Sequence, residues 1–230
     1  MLALVATVGV AAIVYAATRP DAAPVTTVAD GTPLPEAQGY LLGDPNAPVQ
    51  IIEFADFQCP ACATFAIVTE PDVRERLVNT GQASYRFFDF PLPQHQNSIE
   101  ASLAAACANE QAKFWEMHDG IFRQQNEWMF ERNPKDVFEG VAQRIGLDAE
   151  RWESCYDSRE YERQILANKA AGERRGIQST PTFIIGGRMT AGSISYDAIK
   201  ALVDSAAARA PSNDTAALPP APSGSSADAG

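Results

Sequence analysis

Two cysteines three residues apart, in the run Cys59-Pro60-Ala61-Cys62, follow directly on the apolar stretch 49–55. In the opening turn of a helix, a rise of about 1.5 Å per residue sets their Cα atoms about 5 Å apart, inside the range a disulfide accepts. The pair can therefore open and close on a stationary backbone. Pro60 suits the first helical position, where a missing N–H costs nothing, so Cys59 falls at or next to the N-cap with orphan N–H groups pointing at its sulfur. The positive end of the helix dipole favours a thiolate there, and C-x-x-C cysteines ionise between about 3.5 and 7 against about 8.5 for a free thiol. Cys59 is the expected nucleophile and leaving group. Cys62, one turn on and facing the sheet, is the expected buried resolving thiol.

Two plainer readings of the motif are weaker. Half of a structural zinc site needs a second pair of ligands at short spacing, whereas Cys107, Cys155, His95 and His118 stand singly. A purely structural disulfide closing so small a loop would remove little unfolded-state entropy. Far downstream, Ser179-Thr180-Pro181-Thr182-Phe183 places a proline immediately before an apolar strand. A cis bond at Thr180-Pro181 would present the Thr180 backbone to the head of the C-x-x-C helix. An isolated Thr-Pro is more often an ordinary trans turn; in company with the upstream dithiol the cis form is expected.

The elements that must position these groups follow from pattern. A central strand is expected over 49–55 and a helix over 60–69, checked near Pro71 and continuing to 79. A strand over 82–90 has Ala83, Tyr85 and Phe87 on one face. Helical spacing recurs over 98–108, 112–124, 134–145, 148–157 and 159–175, with Asn133-Pro134 and Leu147-Asp148 as start signals. A short strand over 182–185, a Gly186-Gly187 hairpin turn and a last helix over 195–208 close the frame. Strand, helix and strand form a parallel unit, and the helices after it a lobe inserted at about 95–175. His118 lies on a helix face with Phe114, Ile121 and Phe122 and reads as a packing residue, and Phe114, Trp115 and Phe122 as core. His95 is expected in an exposed loop.

Residues 1–18 carry no charged side chain and lead into Arg19-Pro20 and a Pro/Ala/Thr-rich linker over 19–39. The apolar stretch is near the lower limit for spanning a bilayer, and Val14-Tyr15-Ala16 resembles a small-residue cleavage site, so it is read as an export segment, either a retained anchor or a cleaved signal peptide. The absence of basic residues ahead of it leaves room for a start site upstream. Residues 210–230 are Pro, Ala, Ser and Gly with almost no large apolar side chain, a composition expected to be disordered. The 230 residues, 46% hydrophobic, suffice for one sizeable domain over 40–209 with an insertion. The net charge of −11, with no cluster of Lys and Arg, excludes a nucleic-acid partner. Outside the cytoplasm four cysteines are most simply two disulfides, with three possible connectivities. The pairing 59–62 and 107–155 is expected, the second bond being structural and contributing about 4 kcal/mol through loop closure.

Three blocks in this order resemble the signatures of DsbA-like thiol-disulfide oxidoreductases: Glu53-Phe54-Ala55-Asp56-Phe57-Gln58-Cys59-Pro60-Ala61-Cys62, then Cys107-Ala108-Asn109-Glu110-Gln111-Ala112-Lys113-Phe114-Trp115-Glu116-Met117-His118-Asp119, then Gly176-Ile177-Gln178-Ser179-Thr180-Pro181-Thr182-Phe183. The resemblance covers residues 40–208 and implies an α/β thioredoxin fold with an inserted α-helical lobe. It implies that Thr180 and Pro181 form a substrate-binding cis-proline loop. Glu53 would be the buried carboxylate that handles the proton of Cys62, its affinity for that proton raised by desolvation; the plainer reading is a strand-end carboxylate. Strong oxidants of the family carry His between the proline and the second cysteine, whereas Ala61 offers only its backbone, so a less oxidising couple is expected here.

The activity implied is that of an exported oxidase donating the Cys59–Cys62 disulfide to cysteines of translocated, unfolded proteins. The family also implies a membrane reoxidant, resembling DsbB or a vitamin K epoxide reductase homologue. With no P-loop, GxGxxG or metal-ligand array, neither cofactor nor metal is expected, and the protein is expected to act as a monomer. Rival readings are an isomerase or reductase kept reduced by a membrane donor, disfavoured because 19–39 is too short for a dimerisation domain, and a non-catalytic thioredoxin-fold chaperone, disfavoured by the intact cysteine pair.

Overall fold

The computed structural model describes residues 34–209. The expected export segment, the linker up to residue 33 and the tail 210–230 lie outside the described residues. Among the described residues no helix is long and apolar enough to cross a membrane. A five-stranded sheet in the order β1-β3-β2-β4-β5 forms the centre: β1 Tyr40–Leu42, β2 Gln50–Ala55, β3 Ser84–Asp89, β4 Thr182–Ile185 and β5 Arg188–Ala191. β2 pairs parallel with β3 and antiparallel with β4, so the strand that leads into Cys59 is hydrogen-bonded on both sides. Gly186 and Gly187, at φ +55° and +78°, make the two-residue turn between β4 and β5, a conformation that favours glycine at both positions.

Strand alternation divides the core between the two faces. Ile51, Glu53, Tyr85, Phe87, Phe183 and Ile185 point to one side; on the other, Phe54 stacks on Phe88 and meets Phe90 edge to face. Helix α1 (60–78) covers the first side, its Phe65 ring packed 4.6 Å from that of Phe183. This is a mixed α/β thioredoxin fold with a helical insertion. The insertion comprises α2 Ser98–Asn109, α3 Phe114–Arg123, α4 Gln125–Trp128, α5 Lys135–Arg144, α6 Ala149–Ser158 and α7 Glu162–Glu173, and α8 Tyr196–Ala207 follows β5. α7 returns to the second face of the sheet, where Gly172 allows close approach: a Cβ there would meet Phe90 at 2.7 Å and Phe54 at 2.9 Å.

Several elements differ from the sequence expectations for identifiable reasons. Pro71 does not interrupt α1. Having no N–H, it cannot complete the α-helical ladder, and the helix widens around it into π-helical Phe65–Thr69 and Arg74–Val78, the Glu70 and Asn79 N–H groups each donating to carbonyls five residues back. The three-residue edge strand β1, too short for a periodic signal, pairs antiparallel with β3. Arg159, at φ +55°, ends α6 in a left-handed cap instead of starting the next helix, which begins at Glu162.

Candidate active site

The hydrogen-bonded ladder on both sides of β2 fixes where its chain ends, and the helix start follows within a few residues. Asp56 makes the connection. Its carbonyl accepts from the Cys59 N–H at 3.0 Å, and its buried carboxylate accepts from the N–H of Gln58 and of Leu92, each at 2.8 Å, and from the Ser98 hydroxyl. His95 Nδ1 lies 2.7 Å from the same carboxylate, and its side chain is only 19% exposed. This corrects the reading of His95 as an exposed loop residue: a carboxylate distant in sequence draws the ring in. Gln58 binds the Met129 carbonyl and the Asn97 N–H, and Gln125 Nε2 donates to the Phe57 and Cys59 carbonyls at 2.7 and 3.1 Å. The lobe is thereby tied to the backbone on either side of Gln58. Gln125 carries no motif or spacing that would mark it in the sequence.

Cys59 occupies the N-cap in extended conformation (φ −75°, ψ 121°), with Pro60 at the first helical position. Its residue is 7% exposed, whereas Cys62 is fully buried; both are thiols in this structure. A hydrogen bond from the Cys62 thiol is the largest influence on Cys59; against desolvation, and with help from Thr180 and the backbone N–H groups of Cys62 and Ala61, it lowers the Cys59 pKa from 9.0 to about 5. Burial, and after it the neighbouring Cys59 sulfur and Glu53, pushes the Cys62 pKa well up. One sulfur is thus charged at neutral pH and the other holds its proton.

The Thr180–Pro181 bond is cis. Thr180 offers the sulfur two groups. The Cys59 thiol donates to the Thr180 carbonyl at 3.4 Å, and the Thr180 hydroxyl is buried with no hydrogen-bond partner. Once Cys59 ionises, the thiol has nothing left to donate, and the hydroxyl is the group able to donate to the thiolate.

Glu53, on the central strand, is 2% exposed and accepts a hydrogen bond from the Tyr85 hydroxyl on β3. Burial first, and then the charge of Glu70, raises its pKa well above the ordinary carboxylate value. The charge of Glu53 in turn raises the Cys62 pKa, so the carboxyl and that sulfur lie within electrostatic reach of each other. Cys107 and Cys155 form a disulfide joining α2 to α6, which leaves neither free to relay electrons in this state. Glu110, Cys155 and Glu160 are the one grouping among the described residues with metal-ligand proximity, and the bonded sulfur of Cys155 makes it a poor ligand set.

Fold and site together define a thioredoxin-fold protein with a polarised dithiol at a helix N-terminus and a helical lobe inserted before the cis-proline strand. The thioredoxin family model matches residues 36–205, and the chain belongs to that family. It is similar to the Na(+)/H(+) antiporter NhaA 3 of Salinispora tropica, 34% identical over 179 residues that cover 77% of this chain and 26% of that protein. The chain thus spans about a quarter of the length of the first curated relatives it matches. It is also similar to the "Probable disulfide bond formation protein D" of Bacillus anthracis, 25% identical over 71% of this chain and 76% of that protein. Among solved structures it resembles alpha-DsbA1 of Wolbachia pipientis, with a TM-score of 0.67 and 24% identity over 77% of this chain and 94% of that one.

Proposed function

We propose that this protein is an exported thiol-disulfide oxidoreductase that donates the Cys59–Cys62 disulfide to cysteine pairs of newly translocated proteins. One observation carries the reading: Cys59, with a pKa of about 5 at the head of a helix, lies against Thr180 while Cys62 is sealed behind it. A client thiolate attacks Cys59 Sγ; the Sγ–Sγ bond breaks, its electron pair goes to Cys62, and Cys62 takes the proton held by Glu53. A second client thiolate then attacks the client sulfur of the mixed disulfide and expels Cys59, which leaves readily because its thiolate is stable. The client has lost two electrons, and the protein is a dithiol.

In this reading Thr180 and Pro181 align an extended client segment beside the sulfur, and Cys107–Cys155 is a structural brace. Residues 1–18 deliver the domain beyond the cytoplasmic membrane, as anchor or cleaved signal. A membrane reoxidant of the DsbB or vitamin K epoxide reductase kind takes the two electrons away. Support for the activity comes from relatives named as disulfide bond formation proteins. The test is made in cells. The Cys62→Ala variant is expected to accumulate mixed disulfides with exported clients through Cys59, and the resting wild-type pair to be mostly oxidised. A mostly reduced pair would instead identify a reductase or isomerase, and full complementation of a disulfide-formation defect by Cys59→Ala would remove catalysis altogether.

A further inference from the structure

Further along α1 lies a group of buried and half-buried polar side chains outside the dithiol itself: Glu70 and Arg74, facing His118 and Asp119 on α3. His118 is fully buried among the rings of Phe57, Phe87, Phe114, Trp115 and Phe122. Its two nitrogens nevertheless meet different charged neighbours. Nδ1 lies 3.0 Å from Asp119 Oδ1 and 3.2 Å from Arg74 Nη2. Nε2 has no hydrogen-bond partner and lies 3.8 Å from Glu70 Oε2, which has none either. The gap is about 0.6 Å beyond the usual hydrogen-bond range. Arg74 holds both carboxylates, donating to Glu70 Oε1 at 2.7 Å and to Asp119 Oδ1 at 2.9 Å, and Arg123 adds a longer contact to Asp119.

Two neutral ring states fit these neighbours. With its proton on Nε2, the ring accepts from Arg74 at Nδ1 and aims an N–H at Glu70; with its proton on Nδ1, it donates to Asp119 and turns a lone pair to Glu70. Going from the first state to the second takes up a proton on the Asp119 side and releases one on the Glu70 side. The Asp119 side chain is 25% exposed, and that of Glu70 is 1% exposed. Asp119 and Arg74 also line an open cleft between α1 and α3. The charge of Glu70 also raises the Glu53 pKa, so the two carboxyls lie within electrostatic reach of one another.

We propose that His118 is a positioning residue for the thiol reaction, a two-sided proton relay between Asp119 at the solvent cleft and Glu70 in the interior. The proposal rests on the reading of Glu53 as the proton partner of Cys62. On reduction of the disulfide Glu53 gives its proton to the Cys62 thiolate; His118 releases its Nε2 proton to Glu70, which hands it on to Glu53, and Nδ1 takes up a proton from the Asp119 side. Reoxidation by the membrane reoxidant runs the same transfers outward and returns the ring to its first state. One proton enters and one leaves per cycle.

The experiment is single-turnover reduction of the oxidised protein by dithiothreitol, followed from pH 5 to 8 in water and in deuterium oxide, for wild type, His118→Gln, Asp119→Asn and Glu53→Gln. His118→Gln and Asp119→Asn are expected to slow the step about tenfold or more and to flatten its pH profile. The equilibrium potential and the Cys59 alkylation midpoint should stay at their wild-type values, since a relay changes rates only. Should His118→Gln not fold, Asp119→Asn, at a partly exposed site, carries the test. Wild-type rates and pH profiles in both variants, with Glu53→Gln slow, overturn the relay and leave Glu53 in place. Wild-type behaviour in all three overturns the Glu53 reading as well.

Discussion

Ionisation of Cys59 near pH 5 dictates how the potential of the dithiol–disulfide couple varies with pH. Below that value reduction takes up two electrons and two protons, and the potential falls by roughly 59 mV per pH unit. Above it only Cys62 takes a proton, and the slope halves to about 30 mV, because a tenfold change in the equilibrium constant of a two-electron couple is about 29.6 mV. Cys62 adds no second break below pH 9, since burial raises its pKa. At pH 7 a thiol with a pKa of about 5 is about 100-fold more favourably ionised than one at 9.0. That ratio raises the potential by about 60 mV, equivalent to about 3 kcal/mol in favour of the reduced protein. The assay is equilibration with thiol–disulfide buffers of known potential from pH 4 to 8, with acid quench and separation of the two forms. A single slope of about 59 mV per unit through pH 8 would refute the assignment of the charge to Cys59.

Two predictions concern stability. Asp89 is fully buried at the end of β3, with one oxygen bonded to Asn168 and the other unpartnered, and desolvation raises its pKa from 3.8 to about 6. Because the folded value lies above the unfolded one, its favourable contribution is fully present below pH 3.8 and is lost as pH rises through about 6, at a cost of about 3 kcal/mol. Urea unfolding at pH 5 and pH 8 should show close to half of this loss, about 1.4 kcal/mol, in the wild type and most of it missing in Asp89→Asn; an equal pH dependence in both would rule the group out. Replacing Cys107 and Cys155 together by alanine opens a loop spanning 48 positions and should cost about 4 kcal/mol at most by loop entropy. The rate of disulfide transfer by the surviving folded fraction should be unchanged, and a specific loss of that rate would give the second pair a redox role.

The dithiol and the Thr180-Pro181 step are legible in the sequence because their chemistry is local: proline, cysteine spacing and a strand edge announce themselves within a few residues. The partners of these groups are not. Tyr85 reads as one of three residues on the apolar face of a strand, but its hydroxyl reaches Glu53 because β2 and β3 pair in the register Ile51↔Tyr85 and Glu53↔Phe87. That register is a tertiary fact. His118 reads as a packing residue from its helix face, and five aromatic rings do surround it, yet Arg74 and Glu70 come to its nitrogens from another helix 44 residues or more away in sequence. Asp56 stands inside the signature block without any local hint that Leu92, His95 and Ser98 will converge on it. Gln125 begins a four-residue helix after the expected helix has ended. The thioredoxin fold with a helical insertion is visible in outline because strand and helix periods differ, whereas the π-helical course of α1 and the edge strand β1 depend on a missing N–H and on a neighbour to pair with.

The most direct measurement mixes the purified protein, with its Cys59–Cys62 pair oxidised, with an equimolar amount of a reduced, unfolded polypeptide containing two cysteines, quenches with acid, and weighs both partners by mass spectrometry. The polypeptide should lose two hydrogens and the protein gain two, in equal amounts, and Cys59→Ala should abolish the exchange. If the wild-type pair remains oxidised beside an unchanged dithiol, Cys59 does not perform disulfide donation.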